Sequence, residues 1–350
     1  MINAKIVGAG GYGGVGIAEL INAHPETEIA ALVDIENVGM RLSDLYPHLS
    51  GIIDREIVSP ENADFPCDVV FMATPDGVGM KLAPAELEKG ARVIDYSGDF
   101  RFNTAESYSE YAQRIGRAPR HASAGLLKET VYGLPELHRS AISGDITIVG
   151  NPGCFAVSCI LGLAPAVAAG TVDIGSIICD CKTGISGAGK KPSPFFHYPA
   201  VYDNMFAYKL SGHQHVCEIE RELGILAGTL LRITFTSQVA PACRGIMSCL
   251  YGNLKDRADT KQIIDTYREY YSDSPFVRVF DSAGTPGTVH VRGTNFCNLV
   301  ISVDNATNRL RVVSYIDNLM KGQAGSAMQN MNLLFGFPET LGLTRTGMFP

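Results

Sequence analysis

From residue 1 to about residue 150, short β-branched runs alternate with helical periods, the pattern of a parallel sheet wrapped by helices. The runs Lys5–Val7, Glu28–Val33, Val69–Met72, Arg92–Tyr96 and Ile146–Val149 predict strands. Turn signals close the first four: Gly8, Asp34–Asn37, Thr74–Gly77 and Ser97–Asp99. Ligands of open α/β sheets collect at the carboxyl ends of strands, so these loops are the first place to look, with Thr74 and Ser97 among the candidates. Past about Ala166 the pattern changes. Ser176–Lys182, Leu230–Val239, Gly245–Tyr251, Phe276–Phe280 and Asn298–Val303 read as strands with fewer helices between them, a mixed sheet forming a second domain. Asp317–Phe335 has helical spacing and is expected to return to the first domain, so residues 1–150 with 318–350 form one domain and 151–317 the other.

A chain of 350 residues suits two cores better than one. Its 46% hydrophobic and 19% charged residues describe a globular protein without low-complexity tracts. The net charge of −7, with no basic stripe, argues against nucleic acid or an anionic membrane and favours a small ligand. The longest apolar stretch, Cys159–Ala169, is broken by Pro165 and is too short to span a bilayer. A strand so close to Met1 leaves no room for a signal peptide, and nine scattered cysteines suit free thiols in a reducing cytoplasm.

GAGGYGG, Gly8 to Gly14, follows the first strand and opens a helix with Ile17, Leu20 and Ile21 on one face. Gly8, Gly11 and Gly14 stand at G-x-x-G-x-x-G spacing, and Gly8, Gly10 and Gly13 at G-x-G-x-x-G. Glycines let backbone N–H groups approach a pyrophosphate at a helix N-terminus, so Gly8, Gly10, Gly11, Tyr12, Gly13 and Gly14 are dinucleotide candidates, the alternative being a plain tight turn. Asp34, ending the second strand, would accept from a ribose 2′-OH and repel a 2′-phosphate, which points to NAD(H). A solvated loop aspartate is the other reading, and nearby Arg41 is placed to meet a phosphate.

In NPGCFAV, Asn151 to Val157, Cys154 leaves a strand and a Pro-Gly turn just where a helix begins. A thiol at a helix start has its thiolate favoured by the dipole and unpaired N–H groups, so Cys154 is the candidate nucleophile. Cys159, Cys179, Cys181, Cys249 and Cys297 sit in apolar runs and read as buried packing. GHQHVCEIE offers His213 and His215 for acid/base work and Glu218 to orient substrate or imidazole. An ordinary capped helix start competes with that reading, and zinc on His213, His215 and Cys217 lacks a fourth ligand, so no metal is expected. In TGISGAGKK, Ser186 and Lys190 could hold an anionic group, with an exposed basic loop as the alternative. Arg244, in an apolar strand, needs an anionic partner from structure or substrate.

Together these stretches resemble N-acetyl-gamma-glutamyl-phosphate reductases, relatives of aspartate-semialdehyde dehydrogenase. The resemblance runs through GAGGYGG, HPETEI, YSGDFR, YGLPEL, NPGCF, SGAGK, GHQHVCEIE, APACRGI and DNLMKGQAGSAMQNMN. It implies an α/β chain: a Rossmann-like dinucleotide-binding domain plus an α+β catalytic and oligomerisation domain with a mixed sheet, assembled as a homodimer or homotetramer. It further implies an acyl phosphate substrate, release of inorganic phosphate and NADP(H) as cofactor. Cys154 would be the nucleophile, His215 the acid/base with His213 in reserve, Arg244 the partner of a substrate carboxylate and Arg101 a second substrate contact. Gly187 and Asn318 would lie on the cofactor side, with Ala324–Gly325. Where the family often carries Ser-Arg after the second strand, this chain has Asp34-Ile35, and Tyr-Pro-Thr after the nucleophile is replaced by Phe155-Ala156-Val157. Three other readings use the same residues: an aminoadipyl-phosphate reductase of the lysine pathway, a non-redox Cys-His hydrolase, and a dinucleotide-sensing binding protein.

Overall fold

The computed structural model describes residues 1–142, 145–284 and 286–349, and the chain divides into two compact units. The first is Met1–Pro152 with Gln323–Arg345, the second Gly153–Gly322 with Thr346–Pro350.

In the first unit the strands are β1 (Ile2–Val7), β2 (Thr27–Val33), β3 (Ile57–Val58), β4 (Val69–Met72), β5 (Arg92–Asp95), β6 (Thr130–Tyr132) and β7 (Ile148–Gly150). They form one sheet in the order β3-β2-β1-β4-β5-β7-β6 with every pairing parallel. β4 is buried throughout, as a continuous apolar run between covering helices requires. The strand order reverses between β1 and β4, and the carboxyl ends of those neighbours flank the crevice where such sheets bind ligands. Helix α1 (Tyr12–Ala23) buries Ile17, Leu20 and Ile21 as its spacing predicts. α2 (Gly79–Glu88) and α3 (Ala105–Arg114) follow, the latter capped by Thr104, whose hydroxyl accepts the Ser107 N–H. The two strands absent from the pattern-based reading, β3 and β6, are two and three residues long and lie at the sheet edges. Runs that short carry no periodicity.

The second unit holds β8 (Ile178–Thr183), β9 (Phe206–Tyr208), β10 (Thr234–Val239), β11 (Ile246–Asn253), β12 (Val277–Phe280), β13 (Cys297–Asp304) and β14 (Arg309–Ile316). Their order is β12-β13-β14-β11-β8-β10-β9, with β12–β13 and β8–β10 parallel and the remaining pairs antiparallel, the expected mixed sheet. Helix α4 (Cys154–Ala168) is buried at every position from Phe155 to Val167 and packs on β11, β14, α5 (His215–Ala227) and α6 (Thr260–Tyr270). A helix apolar all round belongs at the centre of a core. Tyr267 and Tyr271 donate from their hydroxyls to the α4 carbonyls of Gly162 and Leu161 at 2.8 and 2.6 Å, so burial leaves neither phenol unsatisfied. β14 alternates Arg309 and Arg311 with buried Leu310 and Val312, and was not foreseen.

The chain passes between units later than expected at both junctions. Asn151 stays with the first unit because its N–H donates to Asp95 O at 2.7 Å and its amide to Gln323 O at 3.0 Å. Asp317 and Asn318 stay with the second because their side chains serve Arg244, Gly245, Gly293 and Ser186 there. The last residues likewise join the second unit, where Met348 N–H donates to Arg292 O. After a π-helical turn over Met320–Ala324, helix α7 (Gly325–Leu334) packs on α1 within the first unit. Two of its buried amides hold backbone: Asn330 donates to Gly133 O at 2.8 Å and Asn332 to Leu341 O at 2.9 Å.

Candidate active site

Cys154 is the first residue of α4, with Gly153 as an N-cap that offers no side chain. His215 is the first residue of α5, and Glu218 stands one turn later. Both reach Gly153. The Glu218 carboxylate accepts the Gly153 N–H at 2.9 Å, and a Cβ built on Gly153 would lie 2.3 Å from His215 Nε2. The imidazole therefore lies directly over the residue preceding the thiol, and only glycine leaves it room. On another side, a Cβ on Gly322 would lie 2.7 Å from Cys154 Cβ, so a second glycine, in the π-helical turn, lets the backbone approach the cysteine. π-bulges recur at functional sites because they re-aim backbone in this way.

His213 does a different job. Its ring is caged by Phe155, Tyr208, Phe235 and His215 at centroid distances of 4.7 to 5.8 Å, and its Nδ1 accepts the His215 backbone N–H at 3.2 Å. Burial pushes its pKa down to about 3, with Lys209 adding to the effect, so it is neutral near pH 7. The sequence put His213 in reserve as acid/base; the structure makes it a brace for the start of α5.

The loop after β8 carries Ser186 and Gly187 in a 3₁₀ turn, Ile185–Ala188, with Lys190 exposed beyond it. Ser186 is buried and its Oγ accepts from Asn318 Nδ2 at 3.0 Å. Arg244 meets buried Asp317 through Nε at 3.2 Å, which supplies the structural carboxylate, while its side chain keeps a third of its surface exposed. Asn318, read as a cofactor-side contact, has its carboxamide committed to Ser186 and to the Gly245 N–H within the second unit.

In the first unit Gly8 turns at φ +84°, where a Cβ would meet Ala73 O at 2.4 Å, and a Cβ on Gly14 would meet Gly8 O at 2.3 Å. No side chain caps α1. Among the described residues of this unit, Thr74 Oγ1, Tyr96 Oη and Gln323 Oε1 are buried polar atoms without hydrogen-bond partners. Thr74 stands beside Gly8, and Tyr96 and Gln323 beside Gly13, so an uncapped helix start and orphaned polar groups meet at the glycine turn. That donor and acceptor set fits a dinucleotide. Asp34 directly follows β2, and its carboxylate is tied back: Oδ2 accepts the Gly10 N–H at 2.8 Å and Oδ1 those of Ile35 and Glu36 at 2.8 and 3.1 Å. Arg41 pairs with Asp44 at 2.9 Å on the surface. Ser97 donates to Asp95 at 2.6 Å. Asp95 is fully buried, and desolvation reinforced by Asp99 pushes its carboxyl up to about 8. Arg101, expected as a second substrate contact, is buried and donates to Asn151 O and Tyr96 O at 2.8 and 2.6 Å, which also ties the strand ends together.

Among the described residues no group of three or more His, Cys, Asp or Glu could hold a metal ion, and no helix is long and apolar enough to cross a membrane. Residues 3–144 match the semialdehyde dehydrogenase NAD-binding domain, and residues 154–318 the semialdehyde dehydrogenase dimerisation domain. A protein of Geobacter metallireducens named N-acetyl-gamma-glutamyl-phosphate reductase is 41% identical over all of both chains. One of Symbiobacterium thermophilum with the same name is 44% identical over 99% of this chain and 98% of its own. This chain belongs to the N-acetyl-gamma-glutamyl-phosphate reductase family. It is an enzyme of the semialdehyde dehydrogenase class, with a nicotinamide-binding domain. The fold is shared with aspartate semialdehyde dehydrogenase II of Vibrio cholerae, at TM-score 0.72 and 18% identity over 96% of this chain and 99% of that one. It is shared also with the Candida albicans aspartate semialdehyde dehydrogenase solved with NADP, at 0.68 and 17% over 96% and 98%.

Within this reductase family member, the residues that motif reading missed are those whose partners are distant in sequence. Tyr96 and Gln323 flank the glycine turn, and Gly153 and Gly322 make room for His215 and against Cys154. Tyr96 and Gln323 lie inside quoted motifs, YSGDFR and DNLMKGQAGSAMQNMN, but their unpartnered atoms show only in the fold.

Proposed function

We propose that the chain reduces N-acetyl-gamma-glutamyl phosphate to N-acetyl-glutamate 5-semialdehyde and inorganic phosphate, a step of arginine biosynthesis. One observation carries the mechanism: a cysteine at the start of a buried helix, with an imidazole over the preceding glycine and a carboxylate holding that glycine's N–H. The Cys154 sulfur attacks the acyl carbon, the bond to phosphate oxygen breaks, and a thioester forms on Cys154. The nicotinamide cofactor, when bound, supplies a hydride to the acyl carbon. His215 gives a proton to the oxygen that becomes negative and takes it back as the C–S bond breaks, freeing aldehyde and thiolate. Arg244, oriented through Nε by Asp317, binds the substrate carboxylate, and Ser186 with Lys190 the phosphate. Gly8 to Gly14, Thr74, Tyr96 and Gln323 hold the cofactor.

For the nucleotide, the family resemblance favours NADP(H), but one local feature favours NAD(H). Asp34 puts a carboxylate where a 2′-phosphate would lie, and Arg41, a cation close by in sequence, is paired with Asp44. The match to a dimerisation domain supports a homodimer, with a tetramer as its higher form, and nine free thiols support work in the reducing cytoplasm. The test is the reverse reaction: appearance of reduced NAD or NADP with N-acetyl-glutamate 5-semialdehyde, with and without phosphate. Phosphate-dependent turnover that disappears in Cys154→Ala supports the reading, and no turnover with either cofactor overturns it.

A further inference from the structure

The loops that leave β4 and β5 are clasped to each other by exchanged carboxylates. From the first loop, Asp76 Oδ1 accepts the Gly98 N–H of the second at 2.7 Å. From the second, Asp99 returns the contact: its two oxygens accept the Gly77 N–H of the first loop, each at 2.9 Å, and Oδ2 also accepts the Met80 N–H in the first turn of α2 at 3.1 Å. Asp99 is fully buried, so water does not compete for these charge-assisted bonds. Tyr111 of α3 donates from its hydroxyl to the same Asp76 oxygen at 2.7 Å. Gly77 turns at φ +84°, and a Cβ on Gly98 would run into the Tyr111 ring, so both donors stand where glycine is required.

Thr74 belongs to the first loop, two residues before Asp76, with only Pro75 and its fixed φ between them. The loop follows β4 where the strand order reverses, and Thr74 Cγ2 lies 3.6 Å from where a Cβ on Gly8 would stand. Its Oγ1 is buried and has no hydrogen-bond partner among the described residues. A buried hydroxyl in a ligand crevice without a protein partner is one that a ligand completes.

We propose that Asp76 is a positioning residue for the cofactor: bonded to Gly98 and Tyr111, it holds the Thr74 hydroxyl at the glycine turn, where that hydroxyl meets a bound nicotinamide dinucleotide. The proposal rests on the dinucleotide reading of the glycine turn above and adds the group that sets the loop. A loop already held in the binding geometry loses little freedom when the ligand arrives, so the clasp shows as affinity.

The test is calorimetric titration of the full-length protein with reduced NAD and reduced NADP, beside its melting temperature and the kinetics of the reverse reaction. Thr74→Val should raise the dissociation constant of the preferred cofactor about fivefold, the worth of one neutral hydrogen bond. Asp76→Ala should raise it by at least as much, because the loop is freed and the hydroxyl contact goes with it. Asp76→Asn keeps an oxygen for Gly98 and Tyr111 and should stay within about twofold of wild type. The double variant of Thr74→Val and Asp76→Ala should bind within about twofold of Asp76→Ala alone, since the clasp acts through Thr74. In all of them the KM values for semialdehyde and phosphate should stay within about twofold. A cofactor dissociation constant unmoved by Asp76→Ala or by Thr74→Val overturns the proposal. Effects that multiply in the double variant, or an Asp76→Asn protein as weak as Asp76→Ala, overturn it as well, and so does a loss spread evenly over cofactor, semialdehyde and phosphate with a lowered melting temperature, which marks a structural role. If wild type binds a cofactor and turns over while Asp76→Ala binds equally well, the proposal falls and the reductase reading stands; if wild type binds neither cofactor, both fall. Should Asp76→Ala not fold, Asp76→Glu takes its place, with the carboxylate kept but one methylene too long for the clasp: an unchanged dissociation constant there overturns the proposal.

Discussion

Substituting Gly153 with alanine isolates the contact between α5 and the start of α4. The backbone there, at φ −74° and ψ 145°, suits alanine, so the effect is steric and not conformational. The added Cβ would sit 2.3 Å from His215 Nε2 and 2.4 Å from Cδ2, whereas ordinary contact begins at 3.4 Å, so the ring must retreat by about 1 Å (3.4 − 2.3). Moving a catalytic group by that much costs about 10²-fold in rate. Overpacking and the less favoured N-cap together cost about 1–3 kcal/mol of stability. The measurement is kcat of the phosphate-dependent reverse reaction in Gly153→Ala, beside its melting temperature and pH profile. Gly125→Ala is the control, because a Cβ there meets nothing within 4 Å. We expect kcat to fall about 100-fold in folded Gly153→Ala while Gly125→Ala matches wild type. A Gly153→Ala enzyme within threefold of wild type, with an unchanged pH profile, would refute the placement of His215 over the nucleophile's shoulder.

Three other outcomes can be checked directly. Asp34→Ser with Ile35→Arg should shift preference towards NADPH by at least about tenfold, since it removes a carboxylate and supplies a cation; a wild type already strongly selective for NADPH would contradict the Asp34 reading. Asp95, raised to about 8 by burial, keeps its proton while the unfolded chain gives it up near pH 4, so stability falls as pH rises from about 4 to 8. In chemical denaturation Asp95→Asn should flatten that slope, and parallel slopes would be the contrary result. His213, held at about 3, stays neutral while the unfolded histidine protonates near 6.5, so its share of stability is complete above pH 6.5 and lost as pH falls towards 3. His213→Phe should blunt acid unfolding and leave kcat at neutral pH within a few fold of wild type, whereas His215→Gln should lower kcat about 10²-fold or more.

The features legible in sequence are those with local causes. The glycine turn, the strands with four or more apolar residues and the cysteine at a helix start need only neighbours a few positions away, and the first helix buries the face its spacing marks. The edge strands β3, β6 and β9 were invisible because two or three residues carry no period. Partner choice was equally hidden. Nothing near Asn318 indicates that its amide bridges Ser186 and Gly245, and nothing near Arg101 indicates that it would be spent on the carbonyls of Tyr96 and Asn151. His213 and His215 look alike in GHQH, and only the aromatic cage separates a neutral brace from a group poised to exchange a proton.

The route of the chain also bears on its synthesis. Domains made first ordinarily fold first, as soon as they leave the ribosome. Here the nucleotide-binding unit begins with Met1 but needs Gln323–Arg345 to finish. Until α7 emerges, α1 lacks one of its packing partners and the Gly133 carbonyl its amide donor. The earlier-made unit is therefore the later to close, and the glycine turn meets Gln323 only after the strands of the second unit have been made. A chain cut short at Gly322 would carry the nucleophile helix beside an unfinished cofactor unit, a product fit for degradation rather than for partial activity.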